Sequence, residues 1–519
     1  MTTSSSQRIL FRGGAVHTPG SPAATAFCVD GGTIVWLGTD DGIEPYANGA
    51  DQIVALGGRL VTPAFVDAHV HLSQAGLRLA GLDLADARRR EDLLDALAAY
   101  ARTNSDAVIL GFGWDETGWP DPRIPSGTEL ERATPGRAVY LARVDVHSGL
   151  VSGALLDRAP ELVRAPGWDG TSRVEREAHH AARDAAMALV TRTQRKDAIV
   201  AALAAAAAVG IGSVHEMAAP HVNPVDDLAL LDEVAGERPI PTVVRYWGEH
   251  ASTGGVERAR ALGCAGAAGD LCADGAFGSR TAALLAPYAD RPGHAGHGYL
   301  DAEEIAEHLI VCTRAGLQGG FHCIGDAATS AVVEGFRLAE KAVGADQLVA
   351  SRHRLEHVEL IAPELVRALA AYGVVVSGQP AFDAEWGGRE GMYAARLGPD
   401  RALAANPWAA FLSAGVPLAF GSDAPVTPFD PWGGVRAAAY HHNPEHRIDV
   451  SAAFDAHTRG GWYAAGHDDG GTLRVGGEAT FAVWDRTGPG LPPLTPGAPT
   501  PGCVRTVVAG QTVYDRERP

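Results

Sequence analysis

Two rhythms alternate along this 519-residue chain. Short continuous apolar runs, rich in Val, Ile and Ala, read as buried strands. Between them lie longer stretches whose apolar positions recur at helical spacing. From residue 195 the alternation is regular. A helix over residues 196–209 leads into a strand at 211–216, and a helix over 224–236 into a strand at 241–247. Further strands are expected at 269–275, 317–322, 353–357, 373–377 and 417–423, most of them separated by helical segments. Residues 61–72 place one more apolar strand ahead of this series. Eight alternating strand–helix units predict an α/β fold, the (β/α)8 or TIM barrel.

The pattern changes at both ends. Strands at 8–12, 24–29 and 33–38 are separated by the turn signals Gly13-Gly14 and Asp30-Gly31-Gly32. Short strands return at 471–473, 479–484 and 504–510, with a Pro/Gly-rich loop over 488–502. Residues 1–60 plus 468–519 are therefore expected to form one composite β-sandwich. Residues 61–467 form the barrel, with 73–190 as an α/β insertion after its first strand. That insertion carries a helix at 91–101 and two apolar strands, within 107–120 and 139–149, that run into polar, glycine-bearing loops. Such loops often bear substrate contacts.

Composition narrows the function classes. A formal net charge of −19 argues against a nucleic-acid surface. No apolar run is long enough to span a bilayer, so no membrane partner is expected. Residues 1–8 lack the charged-then-apolar order of a signal peptide, which points to a cytoplasmic protein. The six cysteines form no C-x-x-C pair, so neither a disulfide framework nor a zinc knuckle is indicated. Lysine occurs only at Lys196 and Lys341.

The candidate chemistry sits at strand ends. Residues two apart on a strand share a face, so His69 and His71 project together from the end of the first strand. In a (β/α)8 barrel the C-terminal strand ends converge. The fifth strand ends in His322, the sixth in Glu356-His357 and the eighth in Asp423. Four histidines and an aspartate at one end of a barrel predict a metal site.

These motifs together resemble a known family. Asp67-x-His69-x-His71, Gly421-Ser422-Asp423-Ala424-Pro425-Val426 and the Gly470-Gly471-Thr472-Leu473-x-x-Gly476 segment are similar to the metal-dependent amidohydrolase superfamily. More narrowly they resemble the amidohydrolase-3 group, which includes N-substituted formamide deformylase-like enzymes. Gly113-Trp114-Asp115-Glu116, Asp145-Val146-His147-Ser148-Gly149, Ser213–Met217, Ala273–Arg280 and His353–His357 support the likeness. The resemblance spans nearly the whole chain. It implies a barrel with a composite β-sandwich, hydrolysis of a non-peptide C–N bond in a small-molecule amide, and a homodimer.

One departure from that family matters. Many amidohydrolases bridge two metals with a carboxylated lysine on the fourth strand, and the matching position here is Asp270. Lys196 and Lys341 both fall in expected helices, so no lysine can take its place. Two arrangements are then open. In the first, which the short aspartate side chain favours, one ion is held by His69, His71, His322 and Asp423 while His357 orients or deprotonates the water. In the second, Asp270 bridges two ions, with His322 and His357 on the second. Zinc is the expected ion; iron and manganese suit the same ligands.

In either arrangement Asp423 serves as general base, then acid. Metal or a protonated His357 polarises the carbonyl. Asp67 is a candidate partner for the histidine pair. Trp114, His147 and Arg280 are candidate substrate contacts, and Cys272 and Cys323 are read as small core residues. Two competing functions are a deaminase of an aminated heterocycle and a non-catalytic binding or scaffold barrel. The deaminase reading is weakened by Gly325, which stands where mononuclear deaminases commonly carry a glutamate.

Overall fold

In the computed structural model, which describes residues 7–518, the apolar runs pair in parallel around a barrel. Its strands are β1 (Phe65–Val70), β2 (Ile211–Ala218), β3 (Thr242–Trp247), β4 (Gly266–Ala267), β5 (Gln318–Cys323), β6 (Arg354–His357), β7 (Val375–Gly378) and β8 (Leu418–Phe420). They neighbour one another in chain order. The ring closes where β1 meets the segment after β8. There Asp423 N donates to His69 O at 2.8 Å and His71 N to Ala424 O at 2.8 Å. β1 is buried along its whole length, as a parallel strand covered on both faces must be. Phe65, Val214, Phe321, Leu355, Val376 and Phe420 join the same apolar core.

The fourth strand differs from expectation. It is only Gly266–Ala267, and residues 269–275 leave the ladder apart from one bridge, Cys272 to His322. Gly269, at φ +87°, lies in the left-handed region that glycine tolerates. Beyond it the chain runs irregularly, pinned by Asp274. That carboxylate accepts from Ile324 N and Gly325 N, both at 2.8 Å, and from Ala283 N at 2.8 Å.

Two further sheets flank the barrel. One, from the N-terminal segment alone, orders its strands as 33–38, 26–30, 8–12 and 52–55. The other mixes both ends of the chain: 15–16, 59–63, 481–487, 503–508 and 511–515. Phe11, Phe27 and Phe481 stack between them with ring centroids 4.8–5.1 Å apart. The expected strand at 471–473 is irregular instead, although Leu473 is buried in this core. Residues 1–6, part of the segment read for signal-peptide order, lie outside the described residues.

After β1 the chain forms α1 (Leu72–Ala80) and then a five-stranded sheet ordered 173–175, 148–151, 138–143, 108–114 and 82–83. α2 (Arg192–Ala208) returns the chain to β2 and packs tightly on α1. A Cβ at Gly76 would stand 1.8 Å from Ala198 O, so the two helices meet backbone to backbone. Among the described residues no helix is long and apolar enough to cross a membrane.

Candidate metal centre

β1 delivers both histidines inward, as the two-residue period requires. His69 is fully buried and His71 nearly so. Asp270 arrives from the irregular run after β4, and Asp423 from the turn after β8. Asp423 and His357 hold φ of +55° and +70°, a strained region for residues with a Cβ that recurs at functional sites.

The donor atoms converge closely. His69 Nε2 lies 3.4 Å from Asp270 Oδ1 and 3.5 Å from Asp423 Oδ1. His71 Nε2 lies 3.2 Å from Asp270 Oδ2 and 3.3 Å from Asp423 Oδ1. Two ligand bonds of about 2.1 Å at a tetrahedral angle set their donors about 3.4 Å apart. Two triads have all their donor atoms within 4.8 Å of one another: His69, His71 and Asp423, and His69, Asp270 and His357.

The other ring nitrogens fix the tautomers. His69 Nδ1 donates to Glu356 Oε2 at 2.9 Å, His71 Nδ1 to Met217 O at 3.1 Å, and His357 Nδ1 to Gln379 Oε1 at 2.7 Å. Each ring thereby turns its Nε2 to the centre. Neither His69 Nε2 nor Asp270 Oδ1 finds a hydrogen-bond partner, although both atoms are buried. Orphaned acceptors at the focus of four donors are what a divalent cation satisfies, so the residues fit the metal that the motifs imply.

Burial works against the ionised form of Asp270, yet His71 and His69 hold it well below the usual carboxylate range. Burial likewise opposes Glu356, and Arg354 pulls it down to about 2. Arg354 grips Glu356 at 2.6 and 3.1 Å, donates to Ala68 O at 2.8 Å and lies over the Tyr246 ring. Burial, then the neighbouring His147, lowers His322 to about 4.

The expected site residues do not all meet there. His322 stands one step back: its Nδ1 is 3.8 Å from Asp270 Oδ1 and its Nε2 is 3.3 Å from Gly275 O. It belongs to neither triad, whereas Asp270 belongs to one of them. His357 is present, with its ring 5.1 Å from that of His69. Asp67 serves the backbone rather than an imidazole, accepting from Ser422 N at 2.8 Å and His69 N at 3.3 Å.

Trp114 is fully buried in the insertion's own core, and its Nε1 donates to Leu141 O. Arg280 pairs with Asp290 at 2.7 Å and faces a different cavity. His147 does reach the site, 5.0 Å ring to ring from His322.

Beside His357 and Asp423 lies a small aromatic pocket walled by Phe277, Phe382, Trp386, Met392 and Tyr393. Glu359 also lines it. Burial pushes this carboxyl up to about 8, against the hydrogen bond from Tyr393 OH. The roles of Glu356, Gln379, Glu359 and Tyr393 were not read from sequence. Only Arg354-x-Glu356, two charges on one strand face, offered a signal.

Known proteins resemble this chain in sequence and fold. The profile of the amidohydrolase family matches residues 52–514. YtcJ of Bacillus subtilis (strain 168), named provisionally as an amidohydrolase, is 25% identical over 98% of this chain and 100% of its own. The N-substituted formamide deformylase of Arthrobacter pascens is 21% identical over 89% of this chain and 90% of its own. An uncharacterized metal-dependent hydrolase from Pyrococcus furiosus superposes with a TM-score of 0.72 at 25% identity, covering 92% of this chain and 99% of that one.

Proposed function

The chain belongs to the amidohydrolase family, and on that premise we propose that it hydrolyses the C–N bond of a small-molecule amide. The proposed ligands of a single divalent ion, zinc first among candidates, are His69, His71, Asp270 and Asp423. The observation that carries this reading is the pair of orphaned acceptors, His69 Nε2 and Asp270 Oδ1, 3.4 Å apart within the donor cluster.

What a bound divalent ion supplies is Lewis acidity and a water whose pKa falls from about 15.7 towards about 7. The protein's own groups do the rest. Asp423, which also lines the aromatic pocket, accepts the water's proton and passes it to the leaving nitrogen. His357, its Nδ1 committed to Gln379, offers Nε2 as an acceptor that orients the water. This assignment favours water positioning over a role for protonated His357 as electrophile. The aromatic wall and His147 take the apolar part of the substrate and exclude bulk water.

A panel of N-formyl, N-acyl and cyclic amides, assayed for the released amine, tests the reading. At least one amide is expected to turn over. Asp423→Asn, assayed with zinc in excess, should lower that turnover by about 10²- to 10⁴-fold. Hydrolysis unaffected by this substitution would remove Asp423 from the mechanism.

A further inference from the structure

A second cavity, of ≈ 940 Å³, opens beside the insertion. Six arginines line it: Arg90, Arg123, Arg132, Arg173, Arg280 and Arg396. Only three carboxylates line it with them, Glu116, Glu129 and Asp290. On the cavity wall itself arginines outnumber carboxylates two to one, although the chain carries a net charge of −19. Glu91 and Asp121 do pair with Arg90 at 2.7 Å and Arg123 at 2.6 Å, and Glu175 with Arg173 at 2.8 Å. None of these three lines the cavity. The first two are more than half exposed, where ion pairs contribute little.

The lining carboxylates are shared among several arginines. Asp290 takes Arg280 at 2.7 Å and Arg396 at 2.8 Å. Glu116 takes Arg143 at 2.9 Å and Arg396 at 3.2 Å, with Arg173 at 3.8 Å. The crowding registers on Arg396, whose pKa is lowered by burial and then by Arg280 and Arg143. Arg173 Nη2 is buried without a hydrogen-bond partner among the described residues, while Nε of the same guanidinium pairs with Glu175 at 2.8 Å. Guanidinium forks match carboxylate and phosphate oxygens in pairs.

We propose that this cavity binds a small polyanion, a compound bearing two or more carboxylate or phosphate groups. The site is separate from the metal centre and does not depend on the amide-hydrolase reading. It is nonetheless linked to that centre through one helix, Met392–Leu397. Met392 and Tyr393 face the aromatic pocket, whereas Ala395 and Arg396 face this cavity. Arg396 Nε donates to Gly278 O at 3.0 Å, and Gly278 lines the aromatic pocket. A bound polyanion therefore shares a wall with the proposed substrate site.

Calorimetric titration of the full chain with inorganic pyrophosphate and, separately, with citrate tests the proposal. Saturable binding of one of them is expected, weakening as sodium chloride is added. A preference for pyrophosphate identifies phosphate as the recognised group, and a preference for citrate identifies carboxylate. Arg123→Ala/Arg132→Ala, at two exposed positions on the rim, should weaken binding about tenfold or more. Arg173→Gln should do the same from inside the cavity. Absence of saturable binding at millimolar concentration of either anion would overturn the site. So would binding undiminished in both variants.

Discussion

Glu356→Gln is expected to weaken metal binding about 10- to 100-fold, read by competition with a chromogenic chelator. The reason lies in one hydrogen bond. Glu356 fixes the tautomer of His69 and is itself held charged by Arg354. Leaving Arg354 without its partner will also lower stability. The affinity of the folded protein is therefore the readout that separates a positioning role from a structural one: an unchanged affinity would assign Glu356 to folding alone. At this scale His69 and His71 were legible because strand alternation puts them on one face. Asp270 was legible as a departure from the family's lysine. The Glu356–His69 pair spans 287 positions and no local rule connects them. The core position of Trp114 was not legible, because an apolar strand entering a polar loop looks alike whether it faces a substrate or its own core.

The elements repeat this division. Barrel strands rich in Val, Ile and Phe declared themselves by length and hydrophobicity, and seven of the eight expected runs overlap the strands that form. The fourth does not, because only Gly266–Ala267 pairs regularly and neither residue carries a large apolar side chain. The site-bearing segment after it, Asp270 to Asp274, keeps a single bridge to β5 and is otherwise pinned by the Asp274 carboxylate, so its course has no periodicity to read. In the insertion, Trp114 anchors a core that includes Leu93, Leu97, Ile109 and Leu141. Trp114→Ala should cost about 3–5 kcal/mol through the cavity it leaves. A lower melting temperature with metal content intact is the expected outcome. A raised KM in a protein of unchanged stability would return Trp114 to the substrate site.

For the whole molecule, stability in acid should track the buried charge network of the insertion. Burial opposes ionised Glu116, but Arg143, then Arg173, draw it down to about 2 from an unperturbed 4.5. A carboxylate with a depressed folded-state pKa contributes stability that is present above about pH 4.5 and is lost as pH falls towards 2. Acid unfolding followed by tryptophan fluorescence should show that loss, and Glu116→Gln should flatten the profile over the same window. The chain's two ends also meet in one sheet, where residues 59–63 pair with 481–487 just ahead of β1. The sequence patterns announced strands at both ends, but not which would pair, since pairing partners four hundred residues apart leave no local mark. All of this serves to hold one cluster of four donors in place. The most direct test is metal content per chain measured alongside amide turnover, before chelation, after chelation and after stepwise return of zinc. Turnover is expected to vanish on chelation and to return in proportion to metal, saturating at one ion per chain, and His69→Ala/His71→Ala should neither bind that ion nor turn over. Chelated protein that hydrolyses at an undiminished rate, or a double variant that retains the full metal content, would contradict that expectation.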